Sequence, residues 1–372
     1  MPAPEPRSLL VIKLADLGDV LTATPALRAL RHSFPCSRVD LLTSAIGAEA
    51  LRHSRLADSV FVADRHLADS PAALANPRSL ATTIRLFDQL RRRHYDTVLL
   101  LHHLSTPFGA LKWRLVVGGL RTPTVAGLDN RRGGFLDRRA TDLGFGALHE
   151  VEYGLLVAGG VGATTPDTSL ELSIPVESRQ EAEGLLRSAG VSAGDRPFVC
   201  IHPGSGSYSL ARRWPAERFA AVSDAMVEMG AKVVLVGGAQ DVAVQVIAAM
   251  RHHAVDLSGQ TGVLDLAALL QRCRLFIGND SGVMHLATAS GCPVVAIFGP
   301  SNSKAWGPWR PAELGSAPAV VVTSSAEGCP EGGPCLYRGH RVGRRDGCPE
   351  RPCLMQITPE QVLDVVRSLH LL

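Results

Sequence analysis

Short apolar runs recur along the chain, each closed by a small, polar turn and followed by a segment with helical periodicity. The pattern is sharpest at residues 275–300. Leu275, Phe276 and Ile277 read as a buried strand, Gly278-Asn279-Asp280-Ser281-Gly282 as a tight turn, and the residues through Ala289 as a helix. Gly291-Cys292-Pro293 then break the helix before a second apolar strand at 294–298. A strand–helix–strand unit of this kind predicts a parallel sheet with right-handed crossovers. The same alternation opens the chain: an apolar strand at 9–14 marred only by Lys13, a turn at 15–19, and a helix over 20–32 stopped by Pro35. Strands at 39–42, 60–63 and 96–101 follow, with a helix over 79–93 before the last. Residues 121–146, rich in Arg and Gly and without period, read as a loop or mobile lid, and 150–161 as a helix. A Pro-containing linker at 164–169 leads to a second alternation. It comprises a helix at 177–189, a strand at 198–201, a helix at 216–229, a strand at 233–236, a helix running to about 250, and an apolar-faced helix at 263–273. The pattern predicts two α/β domains meeting near Pro175.

The turns carry the candidate chemistry. In an open parallel sheet, ligands sit outside the carboxyl ends of the strands. Three strand ends in the second half bear polar, small-residue turns: 202–207, 237–241 and 279–282. In one sheet they would converge on one crevice and form a diphosphate site, with Arg212 or Arg213 nearby. Asp280 and Ser281 stand where a helix cap belongs, so free amides and the positive helix end meet at Ser281–Gly282, with His285 one turn on. A capped helix with a polar rim fits the same residues. In the first half, Gly18-Asp19 lies at the end of the first strand and lacks the G-x-G-x-x-G form of a dinucleotide loop. Asp19 has no basic neighbour in the immediate sequence. It reads either as a helix cap or as a carboxylate base at the mouth of a cleft.

Composition narrows the class. The 372 residues are 46% hydrophobic and Gly-rich, with a net charge of only +3, so nothing overall demands nucleic acid. The basic residues cluster, at 91–93 and at Arg131, Arg132, Arg138 and Arg139. No apolar run reaches membrane-spanning length and the start lacks a signal-peptide pattern, so the expected location is cytoplasmic, with peripheral membrane contact open. Of eight cysteines, Cys36, Cys200, Cys273 and Cys292 sit among apolar residues and read as buried thiols. Cys329, Cys335, Cys348 and Cys353 cluster with Pro and Gly. Free thiols are the first reading there, a zinc site the second and disulfides the third.

Three segments carry a resemblance: LLVIKLADLGDVLTATPALRALRHSFP, IHPGSGSYSLARRWPAERFA, and, most specifically, FIGNDSGVMHLATASGCPVVAIFGPSN. With the four late cysteines and the tail after them, they make the chain resemble glycosyltransferase family 9, the lipopolysaccharide core heptosyltransferases, nearly end to end, and the heptosyltransferase II branch in particular. The resemblance implies the GT-B fold: two Rossmann-like parallel-sheet domains facing across a cleft. It places an acceptor-binding domain at 1–175, a nucleotide-sugar-binding domain at 176–358, and a final helix at 359–372 packing back across the domains. Residue by residue, it implies Asp19 as the catalytic base beside Gly18. It makes Asp280, Ser281, Gly282 and His285 the diphosphate and ribose motif, and Gly204 and Ser205 a phosphate-facing turn. Gln240 and Asp241 become ribose candidates. Arg212 stands where the family usually has Lys.

The implied reaction is inverting transfer of a heptose or related sugar from a nucleotide diphosphate donor, ADP-heptose by the family's pattern, to a hydroxyl of the lipopolysaccharide inner core or a similar glycan. No Asp-x-Asp triplet is present, so no metal is expected to be required, with Mg²⁺ on the donor phosphates left open. The arginines of 121–139, Arg131 and Arg132 among them, read either as solvated or as the grip for an anionic glycolipid acceptor. Other readings are a nucleotide-sugar epimerase of the same fold, a non-catalytic nucleotide- or glycan-binding protein, and a dehydrogenase, which would want the glycine loop neither half supplies.

Overall fold

The computed structural model describes residues 5–64, 77–191, 197–238, 242–311 and 315–372. The chain divides into two compact units, Met1–Gly144 with Leu148–Glu171, and Phe145–Ala147 with Leu172–Leu372. The division falls just before the expected Pro175.

In the first unit, β1 (Ser8–Lys13), β2 (Arg38–Thr43), β3 (Ser59–Val62), β4 (Thr97–Leu100), β5 (Thr124–Asp129) and β6 (Arg138–Thr141) form one sheet in the order β3-β2-β1-β4-β5-β6, every pair parallel. Successive side chains of a strand point to opposite faces. Leu9 and Val11 therefore enter one core, with Leu27, Leu30 and Tyr153, while Leu10 and Ile12 enter another, with Trp113 and Val117. That two-sided burial explains why β1 reads as a nearly unbroken apolar run. The strand order reverses between β1 and β4, which opens a crevice at their carboxyl ends.

The second unit repeats the winding. Its strands β7 (Phe198–His202), β8 (Lys232–Leu235), β9 (Val255–Asp256), β10 (Leu275–Asn279), β11 (Val294–Ile297) and β12 (Ala319–Val322) run in the order β12-β11-β10-β7-β8-β9, again all parallel. The reversal here lies between β7 and β10. Close pairing at that seam needs Gly278, because a Cβ there would sit 2.9 Å from the His202 carbonyl oxygen. The C-terminal helix Pro359–Ser368 buries Val362, Leu363 and Val366 in this unit's core with Trp214 and Phe219. Trp214 Nε1 donates to the Ile357 carbonyl at 3.0 Å and ties the tail down.

Three expectations change. The helix expected over 20–32 is two helices, Leu17–Thr22 and Thr24–Ser33. Pro25 has no N–H to give the Leu21 carbonyl, which accepts the Thr24 hydroxyl at 2.7 Å instead. Residues 121–146 are not a lid, since they contain β5 and β6. Their pattern hid this because β5 buries Val125, Ala126 and Leu128 while the edge strand β6 exposes Arg138 and Arg139. Cys36 is exposed rather than buried, whereas Cys200, Cys273 and Cys292 are buried as expected. Among the described residues, no helix is long and apolar enough to cross a membrane.

Candidate active site

The second unit's reversal carries a tightly built polar site. Asn279, fully buried at the end of β10, accepts from the Trp214 amide at 3.0 Å. Its Nδ2 donates to the carbonyls of Pro203 at 2.7 Å and Gly204 at 3.2 Å, so it locks the turn after β7 to the end of β10. Next to it, Asp280 accepts from Arg212 Nη1 at 3.2 Å, an ion pair whose side chains are only 6% and 12% exposed. Arg212 Nη2 donates to the Ser205 carbonyl at 2.7 Å, and the guanidinium lies over the Tyr208 ring at 5.7 Å. The Ser205 hydroxyl donates to the Ser209 carbonyl and accepts from Arg213 Nε, so its direct role is to hold the turn. His202 is buried, with Nδ1 2.9 Å from the Val236 carbonyl, and shapes the same turn.

Ser281 caps the helix Gly282–Ala289: its Oγ accepts from the Met284 amide at 3.3 Å. The amides of Gly282 and Val283 have no acceptor within the helix and point out of its positive end. His285, on the helix's first turn and buried, lies edge-on to Trp306 with ring centroids 6.4 Å apart. Backbone amides, a helix N-terminus, an oriented Arg and a His thus gather at one seam, the set of groups that suits an anion.

The first unit's reversal carries an ionic cluster. Asp19 lies in the first turn of Leu17–Thr22, with Asp16 at the N-cap position, so Asp19 is not the cap. It does have a basic partner: Lys13 Nζ, at the end of β1, is 3.6 Å from Asp19 Oδ1, with side-chain exposures of 8% and 31%. Beyond the end of β4, His103 is held between Asp142 Oδ2 and Glu150 Oε1, each at 3.0 Å. Burial alone would lower the pKa of His103, but the charges and hydrogen bonds of Glu150 and Asp142 outweigh it and raise it to about 9. Burial likewise pushes Glu150 up, and His103, with Lys13 behind it, turns the net shift downward. The neighbouring His102 goes the other way. Burial and then Lys13 hold it well below its ordinary range, so it is neutral and accepts from the Leu14 amide at 3.0 Å.

A raised histidine pKa is a stability statement. The folded form binds the proton more tightly, so the contribution is fully present below the unfolded value near 6.5 and is lost as pH rises through about 9. The unfolding temperature should fall between pH 6.5 and 9 in scanning calorimetry, and His103→Gln should flatten that slope. An equally steep slope in the variant would assign the titration elsewhere.

The family model described as Glycosyltransferase family 9 (heptosyltransferase) matches residues 83–320. The chain belongs to glycosyltransferase family 9. It is 26% identical over 373 residues to the lipopolysaccharide heptosyltransferase 2 of Salmonella typhimurium, covering 97% of this chain and 98% of the relative. The lipooligosaccharide heptosyltransferase 2 of Haemophilus influenzae is 28% identical over 53% of this chain and 54% of its own length. The solved Escherichia coli ADP-heptose lipopolysaccharide heptosyltransferase II superposes with a TM-score of 0.69 at 21% identity, covering 97% of this chain and 98% of that one. The two Rossmann-like units of this glycosyltransferase are those of the GT-B fold.

Within this glycosyltransferase, the structure brings Gly204, Ser205, Arg212, Asp280, Ser281, Gly282 and His285 to the β7/β10 seam. It places Gly18 and Asp19 at the end of β1, inside the helix Leu17–Thr22. Gln240 and Asp241 lie outside the described residues. Arg131 and Arg132 are exposed on the connection between β5 and β6, with Arg132 Nη1 3.4 Å from the Leu104 carbonyl. Cys329, Cys335, Cys348 and Cys353 form no disulfide, and burial first, then the neighbouring cysteines, raises Cys353 to about 11. Among the described residues, no three His, Cys, Asp or Glu side chains form a metal-holding group. Sequence reasoning passed over His103, Asp142 and Glu150. The one available signal was a His pair just past the end of β4, where an α/β sheet places its ligands.

Proposed function

We propose that this glycosyltransferase moves a heptose from ADP-heptose to a hydroxyl of the lipopolysaccharide inner core, with inversion at the anomeric carbon. The observation that carries the reading is the second unit's seam site. There the Arg212–Asp280 pair, the Gly282–Ala289 helix end and His285 come together just past the end of β10. The near end-to-end similarity to proteins named heptosyltransferase 2 supports the sugar and acceptor. Asp19 takes the proton of the acceptor hydroxyl, whose oxygen attacks the anomeric carbon as the diphosphate leaves. Arg212, His285 and the amides of Gly282 and Val283 meet the charge growing on that leaving group. The same charges do the work a divalent metal would otherwise do, so the reading requires none. Arg131 and Arg132, exposed, contact an anionic acceptor. A lipid-linked acceptor puts the enzyme at the cytoplasmic face of the inner membrane.

The test is to incubate the enzyme with ADP-heptose and a lipopolysaccharide truncated after its first heptose, and to read the acceptor's mass. Addition of one heptose, with a KM for acceptor raised several-fold by Arg131→Glu with Arg132→Glu, is the expected result. Conversion of the donor in the absence of acceptor would favour an epimerase. Donor binding with neither outcome would favour a non-catalytic binder.

A further inference from the structure

Lys13 is a cation at the end of a buried strand, SLLVIK, in which it follows four apolar residues. Burying an ammonium costs several kcal/mol unless anions meet it. One carboxylate pairs with it, and a second lies within its electrostatic reach. Asp19 approaches at 3.6 Å, and Glu150 lines the same small cavity of about 10 Å³, together with Thr22, Tyr153 and Leu128. The Lys13 backbone is fixed as well, since its carbonyl accepts the Thr43 hydroxyl at 2.9 Å. Glu150 is in turn held by His103, which Asp142 grips from its other side. Asp142 Oδ1 accepts from the Gly144 amide at 2.8 Å, and the Tyr153 hydroxyl donates to the Gly144 carbonyl at 2.7 Å. The cluster joins the ends of β1, β4 and β6 to the first turn of Glu150–Gly159. Only Asp19 at its edge is substantially exposed.

We infer that Lys13, braced by Glu150, His103 and Asp142, is a positioning residue for the base: its ammonium fixes the Asp19 carboxylate at the mouth of the β1/β4 crevice. This inference rests on the reading of Asp19 as that base. A buried strand-end lysine with a rigid backbone holds a carboxylate in one orientation far better than solvent does, and a misplaced base slows the chemical step. Its charge also favours the ionised, proton-accepting form of Asp19. Among the described residues, the elements packed against Asp19's helix also carry Glu49 on Ala45–Ala50, Glu150 and Glu152 on Glu150–Gly159, and Arg28, Arg31 and His32 on Thr24–Ser33, with Asp16 in Asp19's own turn and the neutral His102 beyond β4. Lys13 is the cation that the structure places within ion-pair distance of Asp19.

The experiment is a pH profile of kcat and kcat/KM for Lys13→Met, and for the double variant Lys13→Met with Glu150→Gln, which strands no buried charge. The expected result is a kcat lowered about 10- to 100-fold, with the KM of both substrates within about 3-fold of wild type. The acid limb should move up by about one pH unit or more, because a cation within about 4 to 6 Å lowers a carboxylate's pKa by that amount. Nucleotide affinity measured in parallel reports that the second unit is intact. Lys13→Arg should recover most of kcat and return the acid limb. A folded variant without the Lys13 charge whose kcat and acid limb match wild type would overturn the inference. Should neither neutral variant fold, an unchanged kcat and acid limb in His103→Gln, which slackens the brace while keeping Lys13, would overturn it instead. The two readings fail separately. Turnover surviving Asp19→Asn removes the base itself. An inactive Asp19→Asn beside an unaltered Lys13→Met removes only the role given to Lys13.

Discussion

Asp19→Asn should turn over about 10²- to 10⁴-fold more slowly than wild type, the range lost when a positioned general base is removed. The amide matches the carboxylate in shape but cannot take the acceptor's proton. Asp19 lies in the first unit, on the helix Leu17–Thr22, while the candidate diphosphate residues are held in the second. The KM for donor and the affinity for nucleotide should therefore stay within a few-fold. The fold should survive too, because Asp19 is about a third exposed and the deeper carboxylate beside Lys13 is Glu150. Single-turnover kinetics with saturating donor and acceptor read the chemical step directly. A rate within tenfold of wild type would remove Asp19 from the mechanism and leave the seam site of the second unit standing.

Arg212→Ala should produce the opposite split, with weak nucleotide binding and a damaged second unit. The Arg212–Asp280 pair is nearly buried, and removing one partner leaves the other charge stranded, at a cost of about 3–5 kcal/mol. Arg212 also ties the turn after β7 through the Ser205 carbonyl. Charge-assisted hydrogen bonds to a ligand contribute about 1.5–3 kcal/mol, so affinity for a nucleoside diphosphate should fall by about 10- to 100-fold beyond any loss of folded protein. Arg212→Lys keeps the charge and should lose less affinity, but it cannot reach Asp280 and Ser205 at once with a planar fork. Thermal unfolding followed with and without nucleotide separates the two effects. If Arg212→Ala binds nucleotide as tightly as wild type, Arg212 serves only the fold.

The parts of this protein that were legible in its sequence are those whose signals are local. The βαβ unit at 275–300 announced itself through an apolar run, a capping turn and a Gly-Pro break, and the structure places β10, Gly282–Ala289 and β11 there. The turns after β7 and β10 were found for the same reason, and the strand order that joins them follows from parallel winding. Their partnership was not legible: nothing near Arg212 in sequence shows that it faces Asp280, or that Asn279 bridges to Pro203 and Gly204. Lys13 stood out as a charge in an apolar strand, yet its meaning depends on Glu150, far along the chain. His103, Asp142 and Glu150 come from three separate segments and become a site only when β4, β6 and the next helix are side by side. The misreading of 121–146 has a simpler cause. Period-two alternation fails on an edge strand exposed on both faces, and the arginines of β6 masked it. The roles of Asp19 and Arg212 came from resemblance to the family rather than from pattern, since a carboxylate at a strand end reads equally well as a cap.

Whether the β7/β10 seam binds the donor's nucleotide diphosphate is read most directly by calorimetric titration of the purified protein with ADP, UDP, GDP and CDP. Binding should be selective for ADP, lost or strongly weakened in Asp280→Ala and unaffected by Asp19→Asn. Heat of binding from none of the four, or ADP binding that Asp280→Ala leaves intact in a folded protein, would contradict donor binding at the seam.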